Sequence, residues 1–320
     1  MKTLIALAAS FLLALPAVCG AQAFPTKPIR LIVTYPPGGG ADLMARLVAP
    51  KMAETLGQPV VVENKAGASG QIGAAEVARA APDGYTLMLD ASSFSVNPSL
   101  YGKLPYDTAK AFTPVAVLAL FPNVLVVTPS FPVQDVKQLI AMAKSKPGTI
   151  AFASSGNGSA QHLSGELFRQ KTGVEITHIP YKGGGPAMND VMGGQVPMFF
   201  ANMASSLSQI KGGKLRALAL TGSKRSAALP EVPTMAEAGV PGYEVYEWNA
   251  IFAPAGTPST VINRIADAVA KAVQSPEFRE RVTSLGGELT GYGPREADRF
   301  VKQQMKLWGK VVREGNIRVE

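Results

Sequence analysis

The chain has 320 residues, with 31 Lys and Arg against 23 Asp and Glu, for a formal net charge of +8. The basic excess is scattered, with no basic run and no interleaving of basic with aromatic residues, which argues against nucleic-acid binding. One cysteine and two histidines leave too few ligands for a disulfide framework or a soft-metal centre.

The chain opens Met1-Lys2, then an apolar run from Leu4 to Val18, then Ala21-Gln22-Ala23. This is the pattern of a secretory leader cleaved after Ala23, so residues 1–23 are expected to be removed and the product exported to the periplasm. Cys19 falls inside the leader. A lipid anchor would need a small residue at Val18 and Leu at Pro16, so lipidation is not expected. No later stretch reaches the roughly 18 apolar residues of a membrane span.

The mature chain begins with a βα unit. Ile29 to Tyr35 is rich in β-branched and apolar residues and predicts a buried strand. Met44, Leu47, Val48, Met52 and Leu56 have helical spacing, with Pro50 expected to kink the helix and Gly57 to end it. Between strand and helix lies Tyr35-Pro36-Pro37-Gly38-Gly39-Gly40-Ala41-Asp42. Glycines let backbone approach a guest, and the first helical amides have no internal partner. The expected guest is an anion, a carboxylate or a phosphate. The stretch has no Gly-Lys-Ser/Thr, and the third glycine of a dinucleotide fingerprint would fall at Leu43, so nucleotide binding is unsupported.

Val60 to Val62 and Tyr85 to Leu89 predict two more strands, the second followed by Asp90-Ala91-Ser92-Ser93. Val115 to Leu120 and Val124 to Val127 predict strands separated by Phe121-Pro122-Asn123. A second βα series then begins. Asp135 predicts an N-cap, and Ile150 to Ala153 a strand that runs into Ser154-Ser155-Gly156-Asn157-Gly158-Ser159. Glu175 to Ile179 predicts the next strand, followed by Pro180-Tyr181-Lys182-Gly183-Gly184-Gly185-Pro186. Val196 to Phe200 and Leu215 to Thr221 predict further strands. Thr234-Met235-Ala236-Glu237 predicts a capped short helix. Tyr246 to Phe252 predicts a strand returning to the first series. Thr257-Pro258 and Ser275-Pro276 predict helix starts, and Pro294 to Glu314 the last helix.

Small-residue loops thus follow strands in both series, where open α/β sheets bind ligands. Asp42 is expected either to cap its helix or to receive an ammonium or hydroxyl of the ligand. Ser154, Ser155, Asn157 and Ser159 are expected to cap a helix and to face the ligand. Lys182 is expected to contribute backbone more than charge, and His162 to hydrogen-bond outward from a helix start. Tyr35, Phe94, Phe121 and Trp248 each abut a loop expected to face the cleft. A serine hydrolase is disfavoured: the glycines of G-x-S-x-G around Ser159 would fall at Asn157 and Gln161.

Read together, several stretches resemble the Bug-type solute receptors of tripartite tricarboxylate transporters. They are Pro37-Gly38-Gly39 with Asp42, Gly57-Gln58-Pro59 running into Val60–Asn64, Pro82-Asp83-Gly84-Tyr85-Thr86-Leu87, Leu104-Pro105-Tyr106-Asp107, Ser154 to Ser159, Tyr181-Lys182-Gly183, Leu229-Pro230-Glu231-Val232-Pro233-Thr234, and Phe252-Ala253-Pro254-Ala255-Gly256-Thr257-Pro258. Two positions depart from that pattern: Ala111 and Ala201 stand where the family often has acids, and the second is expected to alter ligand preference.

The resemblance implies an α/β, two-lobed periplasmic-binding-protein fold of type II character with the ligand in the cleft between lobes. Lobe one is expected at 24–123 and 250–320, lobe two at 124–249, with crossings near Pro122-Asn123 and Asn249-Ala250. It implies no catalysis, cofactor or metal. The implied ligand is a small organic carboxylate, dicarboxylate or aromatic, delivered by a monomer to a separate membrane permease; sensing for a signalling pathway is the alternative. Ligand contacts are expected from Tyr35, Gly38, Gly39, Ala41, Asp42, Ser92, Ser93, Ser154, Ser155, Asn157, Gly158, Ser159, Tyr181, Lys182, Gly183, Gly184, Gly185 and Asn202.

Overall fold

The computed structural model describes residues 24–318; the expected leader, its expected cleavage site and Cys19 lie outside them. Twenty elements follow in chain order: β1 (Ile29–Val33), α1 (Gly40–Leu56), β2 (Val60–Asn64), α2 (Gln71–Ala78), β3 (Thr86–Ala91), α3 (Ser93–Leu100), β4 (Phe112–Val127), α4 (Val136–Ser145), β5 (Ala151–Ser154), α5 (Ala160–Thr172), β6 (Thr177–Pro180), α6 (Gly184–Met192), β7 (Met198–Asn202), α7 (Met203–Lys211), β8 (Arg216–Leu220), β9 (Tyr246–Pro254), α8 (Ser259–Gln274), α9 (Pro276–Ser284), β10 (Glu288–Tyr292) and α10 (Pro294–Glu314).

The strands run β2-β1-β3-β9-β4-β7-β5-β6, with β10 and β8 also pairing β4. On one side β1 is parallel to β2 and β3, and β9 runs antiparallel between β3 and β4. On the other side β5 is parallel to β6 and β7, while β7 and β8 are antiparallel to β4. β4 therefore serves both halves. It pairs with β9 as far as Pro122↔Tyr246, then with β7 from Asn123↔Asn202. Two separate strands were expected here; the structure has one of 16 residues, which exchanges partners between Pro122 and Asn123. Pro122 lacks the amide that a continuous ladder would use, so its place at the exchange fits its chemistry.

Each half buries its own apolar face. In the first, Met44, Val48 and Met52 of α1 pack with Ile262, Ile265 and Val269 of α8 over the sheet. Their spacing matches the helical period, which is why the sequence specifies those faces. In the second, Phe152, Phe168, Phe200 and Tyr243 form the centre, joined by Val96 and Leu100 of α3 and by Trp308, Val311 and Val312 of α10. Each large apolar side chain buried this way contributes about 1.5–3 kcal/mol. α3 and the end of α10 thus tie the first half to the core of the second, and Gln170 Nε2 donates to the Val311 carbonyl at 2.9 Å.

Several local expectations change. Pro50 lies on the exposed face of a helix that continues through it. Ser93–Leu100 forms a helix that the sequence reading did not place, with Pro98 inside it. Thr234 and Glu237 make both reciprocal capping-box bonds, at 2.8 and 3.2 Å, but around a turn that does not continue into a helix. Pro258 is itself the cap of α8, so the helix starts one position later than a Thr257 cap would set it.

Candidate functional site

Five helices begin at one cavity of about 1050 Å³. α1 presents Gly39, Gly40 and Ala41; α3 presents Ser92 and Ser93; α5 presents Ser159 and Ala160; α6 presents Gly183, Gly184 and Gly185; α7 presents Asn202, Ala204 and Ser205. Each follows the carboxyl end of a strand, and the first two come from one half of the sheet, the other three from the second. Only α5 has a side-chain cap in this group, Ser159 accepting the His162 amide at 3.2 Å; the caps of α1, α3, α6 and α7 accept none. First-turn amides have no partner inside their helix. Each helix start also carries about half a positive charge. The site therefore concentrates donors and positive potential without a cation: no Lys, Arg or His among the described residues lines it.

The Gly-rich loop before α1 is held from behind. Asp42 accepts the Gly38 amide at 2.9 Å, Asn64 Nδ2 at 2.9 Å and Arg46 Nε at 3.0 Å. Asn64 Nδ2 also reaches the Tyr35 carbonyl at 3.0 Å. Burial raises the Asp42 pKa, but the bonds from Arg46, Gly38 and Asn64 outweigh it and hold the carboxyl below its ordinary value. Gly38 has φ +81°, a left-handed conformation suited to glycine. Asp42 is buried and does not line the cavity, and Gly39 is the N-cap. It therefore acts on the loop, neither as the cap nor at the cavity wall.

The loop before α5 rests on two stacked histidines. The His162 and His178 rings lie 3.8 Å apart at 10°. His162 Nδ1 accepts the Gly158 amide at 3.1 Å, and His178 Nε2 bonds the Ser154 hydroxyl at 2.6 Å. His162 was expected to point outward; it turns inward because its ring finds both a stacking partner and a backbone donor. Burial pushes His162 down to about 3 and His178 to about 4. The Ser154–His178 couple is not a nucleophile and base, because Ser154 is fully buried and lies outside the cavity.

At the base of the first half, the Tyr35 and Ser93 hydroxyls are bonded to each other. Behind them Asp90 is buried, accepting from Thr34 Oγ1 at 2.8 Å and the Ala91 amide at 2.7 Å. Glu247 of β9 lines the cavity and accepts the Ser92 amide at 3.4 Å. Burial raises both carboxyls to about 7. Their mutual repulsion adds to the rise at Asp90.

Of the residues expected from sequence, the cavity brings together Tyr35, Gly38, Gly39, Ala41, Ser92, Ser93, Ser155, Asn157, Gly158, Ser159, Gly183, Gly184, Gly185 and Asn202. Asp42, Ser154, Tyr181 and Lys182 stand outside it. Tyr181 donates to Asp190 Oδ2 at 2.7 Å, and Lys182 is exposed. Phe121 lines the cavity, whereas Phe94 and Trp248 belong to the core. Ala201 is fully buried in the second half's core, away from the wall, so the effect expected of it on ligand preference has no contact to act through. Sequence reasoning missed Glu247 and Asn249. The available signal was two polar residues at i and i+2 inside an otherwise buried strand, which share one face.

A sheet in two halves with helix starts from both meeting at one cavity defines a two-lobed solute receptor. The chain belongs to the receptor family of tripartite tricarboxylate transporters, TctC, whose pattern matches residues 44–317. Protein BugT of Bordetella pertussis is 42% identical over 296 residues, 92% of this chain and 91% of BugT. A solved structure described as a periplasmic transporter is 44% identical with a TM-score of 0.84, covering 93% of this chain and all of the other. R. palustris Rpa4515, solved with adipate, is 38% identical with a TM-score of 0.84, covering 92% of this chain and 99% of that one. These relatives are binding receptors, and the chain is likewise not an enzyme.

Proposed function

We propose that this protein is a periplasmic receptor that closes on one small organic carboxylate, a dicarboxylate or an aromatic one, and delivers it to a tripartite tricarboxylate-type permease. The observation that carries the reading is the meeting of five helix starts at a cavity with no cationic side chain. Such a site favours a compact anion held by backbone amides. Family membership and the adipate bound to Rpa4515 support the carboxylate. The ligand would contact the amides of Gly39–Ala41 and Gly183–Gly185, and the hydroxyls and amides around Ser92, Ser93, Ser155, Asn157 and Ser159.

The same reading takes the halves as lobes that move about β4 and β9. The first crossing is then Pro122-Asn123. Val245 donates its amide to Thr221 of the second half, while Tyr246 pairs with Pro122. These contacts favour a return crossing at Val245-Tyr246 on this reading, four residues before the Asn249-Ala250 expected from sequence. A calorimetric screen of mono-, di- and aromatic carboxylic acids against the purified mature protein tests the proposal. Binding of sugars or neutral amides with no acid bound would refute it.

A further inference from the structure

Glu247 is the one charged side chain lining the cavity among the described residues. It is partly exposed to the cavity and otherwise enclosed by protein. The Ser92 hydroxyl and amide are its hydrogen-bond donors, and no cation contributes to its surroundings among the described residues. The titratable groups around it are Tyr35 and Asp90, and neither can neutralise it. An uncompensated carboxylate in a site that loses water on closure is costly. A second carboxylate brought in by the ligand adds like-charge repulsion. The helix starts offer amides to one anion, but they do not supply the counter-charge Glu247 lacks.

We infer that Glu247 is the specificity-determining residue of the cavity and receives an ammonium group, so that the preferred ligand is a carboxylate that also carries a protonated amine. This rests on the carboxylate reading above and narrows it. Carboxylate and ammonium would sit at two poles, the first on the helix starts, the second on Glu247. Asn249 lines the cavity two residues along the same strand face and offers its side-chain oxygen to a further ammonium hydrogen. An ion pair of this kind forms within the closed cleft, where both partners are shielded from water and the interaction is strengthened.

The test is titration calorimetry at about pH 8, where Glu247 with a pKa near 7 is mostly ionised. Three matched pairs serve as probes: glutamate and glutarate, 4-aminobutyrate and butyrate, phenylalanine and 3-phenylpropionate. The expected result is an amino acid that binds at least about tenfold tighter than its amine-free counterpart. Its binding should involve no net proton uptake when buffers of different ionisation enthalpy are compared. Glu247→Gln should remove that preference by weakening the amino acid and tightening the amine-free acid, since the like-charge repulsion is gone, and Glu247→Asp should keep part of it. Circular dichroism confirms that each variant folds.

Equal or tighter binding of the amine-free acid in every pair overturns the inference and leaves the carboxylate reading standing. So does glutarate binding with uptake of a proton that Glu247→Gln abolishes, since Glu247 would then be a donor to a second carboxylate. If no acid of either kind binds, the carboxylate reading falls and this inference falls with it.

Discussion

The Asp42 carboxylate accepts the amide of Gly38 at 2.9 Å, from the first turn of the helix back into the loop that precedes it. The same carboxylate holds Asn64 of the neighbouring strand and Arg46 one turn on. An acid next to an anion site is thereby explained: its charge is consumed by three donors behind the loop, and the loop's other amides are left facing the cavity.

Asp42→Ala leaves the Gly38 amide without its acceptor and Asn64 Nδ2 with only the Tyr35 carbonyl. A hydrogen bond to a charged group is worth about 1.5–3 kcal/mol, so the variant should lose stability of that order and bind its carboxylate more weakly. Urea unfolding and calorimetry measure the two effects; unchanged stability and affinity would refute the role. Because the folded pKa is depressed, the stabilisation is present above the ordinary value of 3.8 and is lost as pH falls through the lower folded value. Asp42→Asn should therefore flatten the acid limb of the stability curve.

The parts of this arrangement that sequence revealed are local. A β-branched run followed by glycines and a helical period is enough to place Tyr35–Asp42 at a strand's end, and the same holds for Ser154–Ser159 and Tyr181–Gly185. The parts it concealed depend on long-range pairing. A crossing was expected near Pro122-Asn123, but not that a single strand makes it, because a proline ordinarily ends a strand. His162 and His178 lie on α5 and β6, and only folding stacks them. Glu247 could be placed on a strand but not on a face, because alternation cannot choose the face when both are buried.

If backbone amides rather than charged side chains hold the ligand, glycine variants should matter more than the nearby lysine. A Cβ at Gly39 would lie 3.5 Å from the Pro36 carbonyl, an ordinary contact, and one at Gly184 would lie 3.2 Å from the Ser155 hydroxyl, which can shift. Neither position has a left-handed φ. Gly39→Val and Gly184→Val should therefore fold with nearly unchanged thermal midpoints and lose at least about tenfold in affinity, equivalent to one lost contact to a charged group. Lys182→Ala, whose side chain is outside the cavity, should bind within a factor of about two of wild type, since surface charge acts weakly at physiological salt. The opposite ranking in calorimetry would exclude a backbone clamp.

The histidine stack makes the second loop sensitive to acid. Both folded pKa values, about 3 and about 4, lie below the ordinary 6.5. The unfolded chain takes up protons first as pH falls. The stability these groups provide is thus complete above about 6.5 and declines towards the folded values. Asp90 and Glu247, raised to about 7, act in the opposite sense, so the informative quantity is the difference between wild type and variant. His162→Gln should narrow that difference steadily from pH 6.5 to pH 4 in denaturant titrations. A difference that does not change with pH would mean that His162 takes up its proton at the same pH folded and unfolded and has no part in acid sensitivity.

Closure gives the remaining prediction. α1 and α6 begin in different halves of the sheet, and neither offers more than a few amides. One ligand that bonds to both draws the halves together, and excluding water then strengthens every contact in the cleft. On the two-lobe reading the crossings lie at Pro122-Asn123, where β4 exchanges β9 for β7, and at Val245-Tyr246, where the chain enters β9, so rotation there should disturb the fewest paired residues. α3 and the end of α10 pack into the second half's core, so they should bend with the motion and limit its amplitude. Small-angle scattering of the mature protein should show a smaller radius of gyration when saturated with the tightest carboxylate found by calorimetry. Gly184→Val should not compact under the same conditions. Identical scattering with and without ligand in the wild type would separate binding from closure and refute the clamp.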